Sequence, residues 1–189
     1  MSWTALICLG ASDGPRIENL LLSAAQLLSE FDGTADPSAL CACSELYGDR
    51  HRVHRGGATV NLMLAMKVAP RWSVETMERR FKQIEAAFGR ERDPQRVLPV
   101  PLDIDLVGRI DGEVQWQDRY DPARPYLFHG LHQLTLPLLR KALDAVALQR
   151  GFRPEHNAMG FYPLAGADFV ERFLHAQAAT PATAAKEAS

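Results

Sequence analysis

Apolar positions along this chain alternate between two spacings, and the switches between them mark out the elements. Trp3 to Leu9 is a short, nearly continuous apolar run and predicts a buried strand. The turn cluster Gly10-Ala11-Ser12-Asp13-Gly14-Pro15 follows, with Pro15 suited to open a helix. Ile17, Leu20, Leu21, Ala24 and Leu28 then recur at threes and fours, which predicts an amphipathic helix to about Glu30. Ala39 to Tyr47 is short, largely apolar and bounded by turn residues, so it predicts a strand. Gly48 to Gly57 is polar, basic and bounded by glycine, so it predicts a loop, and Ala58 to Val68 predicts a second central strand. From Ser73 to Phe88 the signals agree: Ser73 can cap, Glu75 lies in the first turn, and Val74, Met77, Phe81, Ile84 and Phe88 keep helical spacing. Gly89 is placed to end that helix, and the polar run Arg90 to Arg96, with Pro94, cannot extend it. Leu102 to Val107 predicts a strand, turning at Asp111-Gly112 into a short partner, Glu113 to Trp116. Asp118 to Pro125 reads as irregular. Leu131 to Leu148 resumes helical spacing, with Pro137 marking a start or a kink.

The resulting β-α-β-β-α-β order predicts an α+β fold, a ferredoxin-like open sheet with helices packed on it and further helices toward the C-terminus. From about Ala176 the chain is Ala, Thr, Pro, Lys, Glu and Ser, too poor in large apolar groups to offset its ordering entropy. The expected organisation is one domain over 1–175 and a flexible tail over 176–189.

Composition narrows the classes. The 189 residues are 47% hydrophobic and 23% charged, ordinary for a folded domain and unlike disordered or collagen-like chains. Leu20 to Leu28 is the longest apolar stretch near the start and is far too short to span a bilayer; Trp3 to Leu9 lacks the preceding basic residues and the length of a signal core. The expectation is a cytoplasmic protein without a membrane partner. Cys8, Cys41 and Cys43 fit neither a disulfide framework nor tetrahedral zinc spacing, and read as small buried thiols. The formal charge is only −2, yet 11 of the 21 Lys/Arg and 6 of the 23 Asp/Glu fall between Tyr47 and Arg96, which leaves 10 and 17 elsewhere. Bulk charge argues against a nucleic-acid partner. The local surplus of cations suits a small polyphosphate.

Four groups of residues carry candidate chemistry. In Leu102-Asp103-Ile104-Asp105-Leu106 the strand alternation sends the three apolar side chains to one face and both carboxylates to the other. Paired carboxylates of this kind can hold Mg²⁺, which favours one or two carboxylates plus substrate phosphates; the same pair also suits a plain solvated strand face. Gly89-Arg90-Glu91-Arg92 leaves a helix end for a loop leading to those aspartates, and arginine forks match phosphate oxygens; Arg90 and Arg92 are equally at home beside a helix C-terminus. Arg50-His51-Arg52-Val53-His54-Arg55 is a dense cationic segment, able to cover polyphosphate or simply to be solvated. Asn61 interrupts an apolar strand, where its amide must find partners in the protein or in a polar heterocycle. Neither a Walker loop nor a G-x-G-x-x-G motif occurs.

In order and spacing these residues resemble the 6-hydroxymethyl-7,8-dihydropterin pyrophosphokinases, folate-pathway enzymes that transfer diphosphate from ATP to a pterin. The likeness spans about Ala5 to Val107. It is strongest from Ile84 to Arg92 (IEAAFGRER) and Pro99 to Leu106 (PVPLDIDL), against the family's E-x-x-x-G-R-x-R and P-R-x-L-D-L-D. Leu9-Gly10, Ser44 to Tyr47 and Val60-Asn61 match further positions. The resemblance implies two Mg²⁺ ions on Asp103 and Asp105 bridging ATP phosphates, Arg90 and Arg92 in a mobile catalytic loop, Glu85 beside the nucleotide, and Asn61 bonded to the pterin. Arg124-Pro125-Tyr126 offers a stand-in for the family's R-x-F, whose aromatic ring stacks on the pterin, although no histidine precedes it as in the family. The chain departs from the pattern at the loop arginine (Val100), the loop tryptophan (Val97), the G-S-N after the first strand (Gly10-Ala11-Ser12), the T-x-P-x-G segment (the basic stretch) and the aromatic two residues before Asn61 (Thr59). Three functions stay open on this basis. They are diphosphate transfer to the usual pterin, transfer by the same fold to another acceptor, and a catalytically silent nucleotide-binding paralogue.

Overall fold

The computed structural model describes residues 2–32, 39–54, 57–155 and 160–179. Among these, five helices pack on one seven-stranded antiparallel sheet: β1 (Trp3–Ala11), α1 (Arg16–Asp32), β2 (Leu40–Cys43), β3 (Leu46–His54), β4 (Gly57–Val68), α2 (Val74–Ala87), β5 (Asp103–Asp111), β6 (Glu113–Trp116), α3 (Pro125–Gln133), α4 (Pro137–Arg150), β7 (Phe161–Ala165) and α5 (Ala167–Ala179). The strand order is β6-β5-β1-β4-β3-β7, with β2 also paired to β4. No helix among the described residues is long and apolar enough to cross a membrane.

Both faces of the sheet are covered. Alternate residues of the central strands, such as Ile7, Leu9, Leu62 and Leu64, pack against α1, α2 and α5. Their neighbours Leu6, Cys8, Met63 and Ala65 pack against α3 and α4. Because β1 and β4 are covered on both sides, their sequences run apolar without a break rather than alternating. α2 is built as its pattern predicts: Ser73 and Thr76 form a reciprocal capping box, and Met77, Phe81 and Ile84 are buried. Each of those side chains stabilises the fold by about 1.5–3 kcal/mol.

Several elements differ from the pattern-based expectation. Gly48 to His54 is strand, not loop, because β7 arrives from far along the chain and pairs with it: Gly48 faces Tyr162, and Asp49 faces Phe161. The register against β4 then slips between Asp49 and Val53. Arg50, His51 and Arg52 bulge out of the ladder, and the Asp49 carboxylate accepts from the His51 N–H at 2.8 Å. The remainder of the basic stretch, residues 55–56, lies outside the described residues. Ala39 to Tyr47 is not one strand. It breaks between β2 and β3, where the buried Ser44 hydroxyl accepts from the Met63 N–H at 2.9 Å. Leu131 to Leu148 belongs to two helices, since Pro137 opens α4 and Pro125 opens α3 within the stretch expected to be irregular. At the C-terminus α5 continues to Ala179, past the expected start of the tail at Ala176, and residues 180–189 lie outside the described residues.

Candidate functional site

The site grows out of the pairing of three strands. Gly10 on β1 stands opposite Asn61 on β4 and Asp103 on β5, and Cys8 stands opposite Met63 and Asp105. Pairing of this kind puts the alternating side chains of neighbouring strands on one face. Here that face is the one covered by α3, and at its open end Cys8, Gly10, Asn61, Asp103 and Asp105 line a cavity of about 140 Å³ with Arg52, Thr59, Val100 and Tyr126. Glycine at position 10 leaves room. A Cβ there would reach 3.5 Å from the Asn61 Oδ1.

The two carboxylates differ in their surroundings. Asp103 is 40% exposed and has the Arg92 guanidinium 3.9 Å away. Asp105 is more buried and accepts from the Tyr120 hydroxyl at 2.5 Å. Burial, and next the negative charge of Asp103, push the Asp105 carboxyl up to about 6, and the Tyr120 hydrogen bond only partly opposes them. Beneath the pair, burial above all holds the Cys8 thiol well above its ordinary range, so Cys8 is a packed neutral floor and not a nucleophile.

Glu85 lies behind Asp103, buried on the last turn of α2. One of its oxygens accepts from the Ile104 N–H at 2.8 Å, and the other meets Arg92 at 2.5 Å. Burial raises the Glu85 pKa most strongly, while those two hydrogen bonds favour the charged form. With both oxygens engaged, Glu85 works as a bracket that fixes Arg92 beside Asp103. The connection from α2 to β5 is pinned at its far end, where the Val100 carbonyl accepts from the Ser12 and Asp13 N–H groups at 2.8 and 3.2 Å. The Pro101 carbonyl accepts from the Asn19 side chain at 3.0 Å. Val97 is 95% exposed on this connection.

On the opposite wall Asn61 is 3% exposed, and its Nδ2 is a buried donor with no hydrogen-bond partner. Tyr126, at the start of α3, presents its ring to the cavity, and the Arg52 guanidinium lies 4.3 Å above that ring's centre. Tyr126 is held from below. The buried Tyr47 hydroxyl donates to its carbonyl at 2.8 Å, in a space that a Cβ at Gly130 would close.

Of the residues singled out in the sequence, Asp103, Asp105, Asn61 and Tyr126 share one cavity, and Glu85 and Arg92 join it through Asp103. Arg90 does not line that cavity. Its Nη1 donates to the Pro99 carbonyl at 3.4 Å, and its Nε is buried without a partner. Sequence reasoning missed Tyr120, which sits in a stretch without periodicity and reaches Asp105 only because Arg119 ties that stretch to Glu78 of α2 at 2.6 Å. It also left Arg52 undistinguished among its cationic neighbours, where only the register of β3 against β4 separates it.

A second cavity of about 710 Å³ opens between α1, α5 and β7, with Leu21, Leu22, Phe169 and Phe173 among its walls. It lacks paired carboxylates and buried unpartnered donors among the described residues, so the chemistry favours the smaller site. The donor set there suits Mg²⁺: two carboxylates on adjacent same-face positions leave most of the coordination shell to water and substrate phosphates. No group of three or more metal-ligating side chains occurs among the described residues. In comparisons with known proteins, no family model and no curated protein matches this chain.

Proposed function

We propose that this protein is a diphosphokinase, transferring the β,γ-diphosphate of ATP to the hydroxymethyl group of a pterin-like acceptor, as 6-hydroxymethyl-7,8-dihydropterin pyrophosphokinases do. The observation that carries the reading is the convergence of two adjacent carboxylates and the unpartnered Asn61 amide on one small cavity beside an aromatic face. The partial order β5-β1-β4-β3, with α1 and α2 as crossovers, supports a ferredoxin-like core of the kind the sequence suggested. Composition supports a cytoplasmic setting, with ATP and the acceptor as small-molecule partners.

In this reading Asp103 and Asp105 hold Mg²⁺, which neutralises phosphate charge when bound. Asn61 donates to the acceptor ring and Tyr126 stacks on it, which orients the hydroxymethyl group toward the aspartates. Arg92, fixed by Glu85, faces the transferred group, and Arg90 follows it on the same connection. The acceptor oxygen forms a bond to the β-phosphorus as the bond from that phosphorus to the α,β-bridging oxygen breaks. AMP leaves with that oxygen, and the hydroxyl proton passes to solvent. No protein nucleophile is used, in keeping with the neutral Cys8.

The test is AMP formation by the purified protein with MgATP and 6-hydroxymethyl-7,8-dihydropterin. Asp103→Ala and Asp105→Ala should each abolish it. Output no higher than a heat-inactivated control refutes the reading.

A further inference from the structure

Arg52 has a surrounding unlike that of its cationic neighbours. It lies in the bulge where β3 slips against β4, and its carbonyl accepts from the Thr59 hydroxyl at 3.2 Å. That bond turns the side chain across the cavity mouth, where the guanidinium covers the face of Tyr126 at 4.3 Å. Among the described residues no carboxylate pairs with it. Across from it is Asn61 Nδ2, also without a partner. Thr59, whose side chain is too small to stack, lines the same wall, so the second face of a flat ring on Tyr126 has only the guanidinium to meet it.

The wall that meets the ring therefore offers hydrogen-bond donors and a positive charge, with two N–H bonds from the Asn61 amide and up to five from Arg52. Such a wall is matched by a ring edge made of acceptors. A cation stacked on a ring also favours an electron-rich or anionic one. A 2-amino-4-oxo ring edge presents donors of its own to this wall, whereas a 2,4-dioxo edge presents oxygens and a readily ionised lactam.

We propose that Arg52 is a specificity-determining residue that selects an oxo-rich, anion-forming flat heterocycle as the acceptor. The inference rests on the diphosphokinase reading for the role of the cavity. On entry of the ring the guanidinium leaves Tyr126, caps the ring's other face and donates to its oxo edge.

The experiment is a fluorescence titration of the full chain with two probes of one skeleton, 6-hydroxymethylpterin and 6-hydroxymethyllumazine, which carries 2-oxo in place of 2-amino. The wild-type protein should bind the lumazine about tenfold more tightly, the worth of one charge-assisted hydrogen bond. Arg52→Gln should collapse that ratio toward one, and Arg52→Lys, which keeps the charge but not the fork, should restore part of it. Circular dichroism confirms that both variants are folded. Equal or tighter binding of the pterin by wild type, or an unchanged ratio in Arg52→Gln, overturns the proposal. AMP formation with the dihydropterin separates the levels. An unchanged ratio with AMP formed removes only the role of Arg52, whereas binding of neither probe and no AMP removes the reading of the cavity as well.

Discussion

Asp105 is placed where it costs the fold, and replacing it by Asn measures that cost. Burial and the neighbouring Asp103 hold its carboxyl at about 6, against 3.8 in an exposed chain. The folded protein therefore binds this proton more tightly than the unfolded one. The sign follows: the contribution is fully present below pH 3.8, is lost as pH rises toward 6, and stays lost above it. A pKa raised from 3.8 to about 6 is an upper bound of ~3 kcal/mol, at ~1.4 kcal/mol for each tenfold change in proton affinity. Asp105 is only partly buried, and an Asn there must itself be desolvated, so the expected gain is about 1–3 kcal/mol. Asn keeps an oxygen for the Tyr120 hydroxyl, so that contact survives. In EDTA at pH 7.5, Asp105→Asn should raise the melting temperature by about 3–10 °C. At pH 4 most of the difference should vanish, and the variant should form no AMP at either pH. Thermal unfolding followed by circular dichroism reads the first two results. A variant less stable than wild type at pH 7.5, or an increment of the same size at pH 4 and 7.5, refutes the electrostatic account of this site.

Three other substitutions probe the remaining walls. Asn61→Ala removes a donor that has no partner in the protein, so stability should change by no more than ~1 kcal/mol while acceptor affinity falls about tenfold or more, read by urea unfolding and ring fluorescence. Glu85→Gln keeps an acceptor for the Ile104 N–H but loses the charge that fixes Arg92; it should lower kcat at least tenfold with little change in acceptor KM, and a change in KM alone counts against the bracket role. Tyr47→Phe leaves the Tyr126 carbonyl without its buried donor, which should cost about 1–3 kcal/mol in urea unfolding and raise acceptor KM by loosening the Tyr126 ring.

Legibility in the sequence followed how local the physics was. α2 could be read to within a residue because cap, periodicity and terminating glycine are all encoded within its own stretch. The carboxylate pair could be read because strand alternation alone puts Asp103 and Asp105 on the face opposite Ile104 and Leu106. β3 could not, since its polar residues become strand only when β7 pairs with them, and nothing within Gly48 to His54 announces a partner more than a hundred residues away. The break between α3 and α4 was visible as Pro137, but choosing between a start and a kink needed the packing of Leu131 and Leu139 in the core on the far face of the sheet. In the site, Asn61 stood out as a polar residue in an apolar strand. Tyr120 and Arg52 gave no such contrast, because each reaches the cavity through tertiary contacts of its own irregular or bulged segment.

The central claim is that both terminal phosphates move together to the acceptor. Incubation with ATP labelled at the β-phosphorus, in the presence of Mg²⁺ and 6-hydroxymethyl-7,8-dihydropterin, tests it most directly. The account predicts label on the acceptor and unlabelled AMP, both lost in Asp103→Ala. Labelled ADP as the product, or no label on the acceptor, would contradict it.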